Sequence, residues 1–462
     1  MFEARVYCER RKRLREEVKN GIVLLPGNEE SPMNYSSNTY HFRQDSSFLY
    51  FFGIDQPGMA GIIDIDRNED LLFGNDTDLE SVIWMGPQPS VKELGLMTGT
   101  EKTYPYQDIE KIVNDAAKKG RKIHFLPPYR AENKIFLEKL TGINYSEINK
   151  KISEELIKAV VKLRSVKELW EIKEIEKAVD VAHEMHTTAM KMAMPGTYEK
   201  EIAGRIEGIS LSHGTPVSFP VILTINGHIL HNHYHGNMLR EGRMMVTDAG
   251  HETSLRYASD ITRSVPVGGK FSQRQKDIYE IVLHSLIQAT ELTRPGIPNR
   301  DIHLEAAAVI AAGLKDLGLM KGDVREAVNR GAHALFFPHG LGHMMGLDVH
   351  DMEGLGEDYV GYDNEIKRSD TFGLKGLRLG RRLKEGFVLT IEPGIYFIPP
   401  LIDKWRSEKK FTDFINYNKV ETYKDFGGIR IEDDVLVTAE GRRLLGRPVP
   451  KTVREIEETM AK

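Results

Sequence analysis

Five short segments in the C-terminal two-thirds of the chain each carry one residue suited to a hard divalent cation: Asp248 in VTDAG, Asp260 in ASDITR, His343 in HGLGH, Glu392 in IEPG and Glu432 in RIEDD. Four ionised carboxylates supply about −4 of charge, which two divalent cations would match. Without cations, four like charges gathered in one place would shift one another's pKa values or drive the site apart. An oxygen-rich donor set with one imidazole suits Mn2+, and Co2+ or Zn2+ can substitute. Two such ions per subunit polarise a carbonyl, activate a water and hold a substrate amine, a sufficient set for amide hydrolysis. The residue set therefore points to a two-metal hydrolase.

Taken singly, each residue has a plainer role, and only the set outweighs it. Asp248 and Asp260 read alone as strand-end or turn acids, and Glu392, between the apolar FVLTI and a Pro-Gly turn, as a surface acid. Glu432 opens an acidic run, which is usually a solvated edge; its alternation with Ile429 and Ile431 argues the other way. His339 and His343 are four apart, but Gly340 stands where a zinc-protease helix needs Glu. Gly340, Gly342 and Gly346 instead predict a backbone passing close to a neighbour, with His343 and His350 offered from a loop or short strand. The run His228, His231, His233 and His235 suits either a metal-binding tract or a solvated loop, and one working histidine is expected there.

These residues need elements to position them. The first ~160 residues alternate charged segments with the apolar runs GIVLLP, FLYFFGI and AGIIDI, which read as buried strands of an α/β region. A helix is expected from Lys167 through His186, with Leu169, Ile172, Ile175, Ala178, Val179 and Ala182 on its apolar face. Two domains follow, 1–160 and 161–462, with the boundary near 155–165. Pro195 and Pro295 each end a helix ahead of a similar second helix, which is either an ordinary helix stop or an internal duplication of two αβ halves. Residues 243–267 read as two strands joined by a turn, with Asp248 and Asp260 facing each other, and Arg430 with Glu432 as one face of a strand.

Composition excludes other classes. A net charge of −5 over 462 residues offers no basic field to nucleic acid or anionic lipid. Cys8 is the sole cysteine, so no internal disulfide forms and a reducing compartment is the simplest home. The first residues lack the apolar core of a signal peptide, and Ala306 to Leu314 is too short to span a membrane. A cytoplasmic, unanchored enzyme is expected.

At these segments the chain resembles the pita-bread metallopeptidases, in the branch containing aminopeptidase P and prolidase. RQDSSFLYFFG is similar to that branch's first domain, and ILH, DAG, SDITR, HGLGH, GLDVHD, IEPGIY and GIRIEDD follow in the family's order. The resemblance implies an N-terminal creatinase-like α/β domain ahead of a pita-bread catalytic domain of two pseudo-symmetric αβ halves. It implies that Asp248 chelates one metal, that Asp260 and Glu432 bridge both, and that His343 and Glu392 complete the other. Glu392 would also accept and return the proton of the attacking water. His231 and His350 resemble the histidines that hold the scissile carbonyl and the tetrahedral intermediate, and His339 the one beside the proline pocket. Tyr396 and Arg430 stand where the family supports its bridging carboxylates.

Three features depart from the pattern. The turn between Asp248 and Asp260 is about one residue longer, Ser47 replaces an acid found in some aminopeptidase P members, and HNHYHGN replaces a simpler loop. Arg378, in GLKGLRLGRRLKEG, resembles the carboxylate-binding arginine of prolidases, with a solvated basic loop as the alternative. The expected activity is an Xaa-Pro aminopeptidase, releasing the first residue of peptides with proline second. The alternatives are an Xaa-Pro dipeptidase (prolidase), a non-catalytic pita-bread scaffold, and metal-free creatine hydrolysis, the last two opposed by the complete ligand set. A homo-oligomer, dimer or tetramer, is implied through the N-terminal domain.

Overall fold

Residues 1–461 are described by a computed structural model. The chain divides into one unit of Met1–Arg164 with Gly354–Tyr359 and a second of Ser165–Glu353 with Val360 onward. Among the described residues no helix is long and apolar enough to cross a membrane.

In the first unit the runs GIVLLP and AGIIDI form strands β1 (Ile22–Pro26) and β2 (Ala60–Asp64), paired antiparallel. With β3 (Glu69–Gly74), β4 (Lys102–Pro105) and β5 (Ile123–His124) they make a mixed sheet of order β4-β3-β2-β1-β5. Its core includes Leu24, Ile62, Phe73, Val113, Phe125 and Leu137. FLYFFGI is not a strand: it lies in helix α1 (Ser46–Phe52). A continuous apolar run carries no period, so the residues at its ends decide. Asp45 accepts hydrogen bonds from the Ser47 and Phe48 amides at one end, and Gly53 at φ 67° turns the chain at the other. The buried carbonyls of Tyr50 and Phe51 are then satisfied by Arg10 Nη1 at 3.1 Å and Arg11 Nη1 at 2.7 Å.

In the second unit, helix α2 runs from Leu169 to Met192 and buries Ile172, Ile175, Ala178, Val179 and Ala182. Leu169, in its first turn, faces out instead. Helices α2 and α3 (Glu199–Ser212) pair through Pro195-Gly196, as α4 (Gln273–Leu292) and α5 (Asn299–Asp316) pair through Pro295-Gly296. The likeness extends to hydrogen bonding. Gly196 (φ +94°) donates to the Leu239 carbonyl and Gly296 (φ +85°) to that of Leu383. Asp248 and Glu392 each lie nine residues beyond those leucines (239 to 248, 383 to 392). Two αβ halves related by internal duplication account for this, whereas a common helix stop accounts only for the Pro-Gly.

Strand β6 (Ile222–Thr224) pairs with β7 (Met244–Ala249), which pairs antiparallel with β8 (Ile261–Pro266). Asp248 stands opposite Thr262, so Asp260 is its diagonal neighbour on the same face and not its direct partner. In the other half β9 (Val388–Ile391) pairs with β12 (Asp433–Val437), and β10 (Gly394–Tyr396) with β11 (Gly428–Arg430). Arg430 therefore ends one strand, and Glu432 lies in the crossing between two rather than on one strand face. The Glu432 amide is held there by the Thr262 carbonyl at 3.1 Å. The acidic run is buried throughout, with Arg263 Nη2 on Asp433 Oδ1 at 2.6 Å, and is not a solvated edge.

The α1 cap is testable. Asp45→Ala should cost about 1 kcal/mol, lowering the thermal midpoint by roughly 2–4 °C in circular dichroism, while Asp45→Asn should retain most of it. An unchanged midpoint in Asp45→Ala would remove the cap as the reason this run is helical.

Candidate metal centre and substrate cavity

A cavity of about 270 Å³ in the second unit is lined by Asp248, Asp260, His343, Glu392 and Glu432 together with His231, His339, His350, Arg378 and Arg430. Phe219, Pro220, Ile222, Leu230 and Val349 supply apolar wall. Asp248 comes from β7, Asp260 from the approach to β8, Glu392 from the end of β9 and Glu432 from the β11–β12 crossing. The glycines of HGLGH bring the fifth donor in. A Cβ on Gly342 would stand 1.9 Å from the Thr390 carbonyl oxygen, and one on Gly340 2.7 Å from Leu377 Cα. That approach lets Leu341 accept from the Glu392 amide at 2.7 Å and His343 from the Thr390 amide at 3.0 Å, setting His343 beside Glu392.

Ligand atoms gather in three groups, each within 4.8 Å: Asp248 with Asp260 and Glu432, His343 with Glu392 and Glu432, and Asp260 with His343 and His350. The last brings His350 beside the carboxylates as well. Asp248 Oδ1, Asp260 Oδ1 and Glu432 Oε1 are buried with no hydrogen-bond partner. Leaving such oxygens ionised and unpaired is costly, and the protein moves the protonation equilibrium instead. Burial, then the Glu432 and Asp248 charges, push the Asp260 carboxyl well above its usual range. Burial, then Glu392 and Asp248, do the same to Glu432. Glu392 rises to about 7, chiefly through burial, with Arg430 opposing and Asp248 reinforcing.

Burial, then the neighbouring His350, hold His343 well below its ordinary range, hence neutral. Its Nδ1 lies 3.0 Å from the Met344 carbonyl, which assigns the proton to Nδ1 and leaves the Nε2 lone pair inward. That nitrogen faces Asp260 Oδ2 at 3.4 Å and Glu392 Oε1 at 3.7 Å. These clustered donors, beside carboxylate oxygens without a hydrogen-bond partner, fit divalent cations.

Behind this set Arg430 donates from Nη2 to Asp248 Oδ2 at 2.6 Å, from Nη1 to the Tyr396 hydroxyl at 2.9 Å and from Nε to Thr262 Oγ1 at 3.1 Å. Thr262 in turn donates to Glu432 Oε2 at 2.7 Å. Tyr396 stands outside the lining and reaches it through His339, its hydroxyl 2.8 Å from Nε2 while Nδ1 meets the Gly340 carbonyl at 2.8 Å. Burial and then the Arg430 charge hold the His339 imidazole at about 3, so it is neutral. Among the four clustered histidines, His231 and His233 line the cavity. His235 turns its Nε2 to the Val221 carbonyl at 3.1 Å, and His228 is outside the lining.

Three supporting residues escaped sequence reasoning. Thr262 had a usable signal, since it lies two residues past Asp260 and so shares its face. Asp434, whose Oδ2 accepts from the Asp260 amide at 3.0 Å, was hidden in the acidic run. Glu353 binds His350 Nδ1 at 2.5 Å and Arg378 Nε at 3.3 Å, and no local pattern marks it. The His350 hydrogen bond, then the Arg378 charge, hold its carboxyl at about 2 against partial burial. Arg378 thus lines the cavity.

Comparison with known proteins agrees with this geometry. Residues 173–439 match the model of metallopeptidase family M24, and residues 7–124 that of the aminopeptidase P N-terminal domain. The chain is 33% identical over 468 residues to a Homo sapiens protein named Xaa-Pro dipeptidase, covering 98% of this chain and 91% of that one. It is 31% identical over 486 residues to the Xaa-Pro aminopeptidase of Escherichia coli K12, covering 98% and 97%. Among solved structures, zinc-substituted E. coli aminopeptidase P in complex with product superimposes with a TM-score of 0.81 at 29% identity, covering 100% of this chain and 98% of that one. The E. coli enzyme with the inhibitor Pro-Leu gives 0.80, at the same identity and coverage. With its peptidase model spanning more than half the sequence and relatives matched along nearly all of it, this chain belongs to metallopeptidase family M24.

Proposed function

We propose that the chain is an Xaa-Pro aminopeptidase, releasing the N-terminal residue from peptides with proline second. The observation that carries this reading is the convergence of Asp248, Asp260, His343, Glu392 and Glu432 on one small cavity that His231, His339 and His350 also line. These five hold two divalent cations, for which Mn2+ is the first choice from donor chemistry. When bound, the cations supply Lewis acidity to the scissile carbonyl and lower the pKa of water.

The chain's own residues do the rest. Glu392 takes a proton from the attacking water and returns it to the leaving proline nitrogen, its carboxylate standing among the candidate metal ligands. His350, fixed at Nδ1 by Glu353, offers Nε2 to the developing oxyanion, and His231 does so from the opposite loop. His339, held neutral by burial and the Arg430 charge and hydrogen-bonded to Tyr396, borders the proline ring. Residues 1–160 act as the aminopeptidase P-like domain and supply the contacts of a homodimer or tetramer, and the enzyme works in the cytoplasm.

One observation favours the Xaa-Pro dipeptidase instead. Arg378 lines the cavity and meets Glu353 through Nε, an arrangement in which the guanidinium edge can take the free carboxylate of a dipeptide. Mn2+-loaded protein given Gly-Pro and a longer Xaa-Pro-Xaa peptide decides between them. Release of the first residue from the longer peptide establishes the aminopeptidase, whereas cleavage of Gly-Pro alone establishes the dipeptidase.

Two further outcomes are expected. Chelator-treated protein should take up two Mn2+ per chain in titration calorimetry and regain activity; a chain that stays metal-free would sink the hydrolase reading and leave the scaffold. Glu392→Gln should keep the circular dichroism spectrum and lose about 10²–10⁴-fold in kcat. Near-normal turnover in that variant would refute the proton role.

A further inference from the structure

A buried ion pair underlies the segment that carries His350. Lys167 Nζ meets Asp351 Oδ2 at 2.7 Å, and each side chain is 1% exposed. Asp351 directly follows His350, and its amide donates to the Met344 carbonyl at 2.8 Å, closing the stretch 344–351 into a loop. Inside that loop Asp351 Oδ1 accepts from the Asp348 amide at 3.4 Å, and Gly346 donates to the Asp348 carbonyl at 3.1 Å. There is no room for slack. A Cβ on Gly346 would lie 2.6 Å from Asp351 Oδ2 and 2.8 Å from Lys167 Cε.

The far side of the pair is rigid. The Lys167 amide donates to the Gly386 carbonyl at 2.7 Å, and the Gly386 amide to the Val437 carbonyl at 2.9 Å, which ties the lysine to the β9–β12 sheet. On the near side Met352 is held at φ 64°, a left-handed conformation that a non-glycine residue keeps only when its surroundings impose it. That kink turns the chain so that Glu353, three residues after His350, takes its Nδ1 at 2.5 Å. The His350 ring then lies 4.1 Å, centroid to centroid, from that of His343.

A buried ion pair contributes little net stability, since desolvation offsets the attraction, but removing one member deprives the other buried charge of this partner. We propose that Lys167 and Asp351 are positioning residues for His350: the pair transmits the rigidity of the β9–β12 sheet to the 344–353 loop and so fixes the imidazole over the carboxylates. Neither residue touches substrate. The effect on catalysis rests on the assignment of His350 to the scissile carbonyl, whereas the effect on the loop does not.

Lys167→Met separates the two. Hydrogen exchange of peptides covering 344–353 should accelerate by about tenfold or more, while peptides from the β7–β8 hairpin keep wild-type rates. Turnover of an Xaa-Pro peptide should fall about 10²-fold in kcat with KM within about twofold, and the same substitution in a His350→Ala background should cost nothing further. Unchanged exchange in the loop, or an equal loss of kcat in both backgrounds, overturns the proposal. Where Lys167→Met does not fold, Lys167→Met/Asp351→Leu removes both charges at similar volume and is read by the same two comparisons. A wild-type chain that cleaves no Xaa-Pro peptide refutes the function alone, and the exchange result still decides the brace.

Discussion

The second unit is organised around the cost of putting four carboxylates in one small cavity. Asp248, Asp260, Glu392 and Glu432 repel one another and are all taken from water, so each neighbour must either neutralise them or hold them against repulsion. Among the described residues Arg430 is the one cation hydrogen-bonded into the set, and it is spread across Asp248, Tyr396 and Thr262 rather than paired with a single acid. Thr262 passes that support to Glu432. One positive charge does not balance four negative ones. One oxygen each of Asp248, Asp260 and Glu432 is left buried without a partner, and cations would complete the charge.

Internal duplication accounts for how a chain delivers such a set. Each half offers a helix pair joined by Pro-Gly and a strand ending in an acid, so Asp248 and Glu392 arrive as equivalents on opposite sides. The remaining ligands break that symmetry. Asp260 stands on the antiparallel partner of β7, whereas Glu432 hangs in a crossing that departs from regular pairing. The histidine comes from a loop that only glycine permits, because any side chain at 342 would meet the Thr390 carbonyl. The two halves therefore supply the carboxylates in pairs and the loop supplies the imidazole.

How much of this was readable from residue types follows from where the information lies. The residues that carry charge at fixed spacing were legible as a set, because acids set among apolar strands are costly unless cations neutralise them, and the structure gathers all five candidate ligands around one cavity. The two αβ halves were half visible as Pro195 and Pro295; the hydrogen bonds of the following glycines to Leu239 and Leu383 decide it and span distances that no local pattern records. FLYFFGI was misread because an all-apolar run looks alike as buried strand or buried helix, and the buried arginines that accept it as a helix lie some forty positions away. Glu432 was misplaced since alternation of isoleucine with charge is also satisfied by two short strands meeting at a crossing. Glu353 and Asp434 were missed because an acid's partner is chosen by tertiary contact.

The cavity's size bears on what the centre can process. About 270 Å³ is at or below the lower end of ordinary small-molecule pockets, roughly 300–1,000 Å³. Such a space fits the residues flanking one bond. Within it the apolar wall of Phe219, Pro220, Ile222, Leu230 and Val349 can recognise only shape, which separates similar side chains weakly. The sharper discrimination must come from charge. Arg378 is the lining cation not already committed to the carboxylate cluster, and its tie to Glu353 links it to the same acid that orients His350. In the function proposed, a substrate carboxylate that drew Arg378 away would change the surroundings of the acid that meets His350 Nδ1. The proposed function thus connects substrate length and His350 through one exposed acid, Glu353.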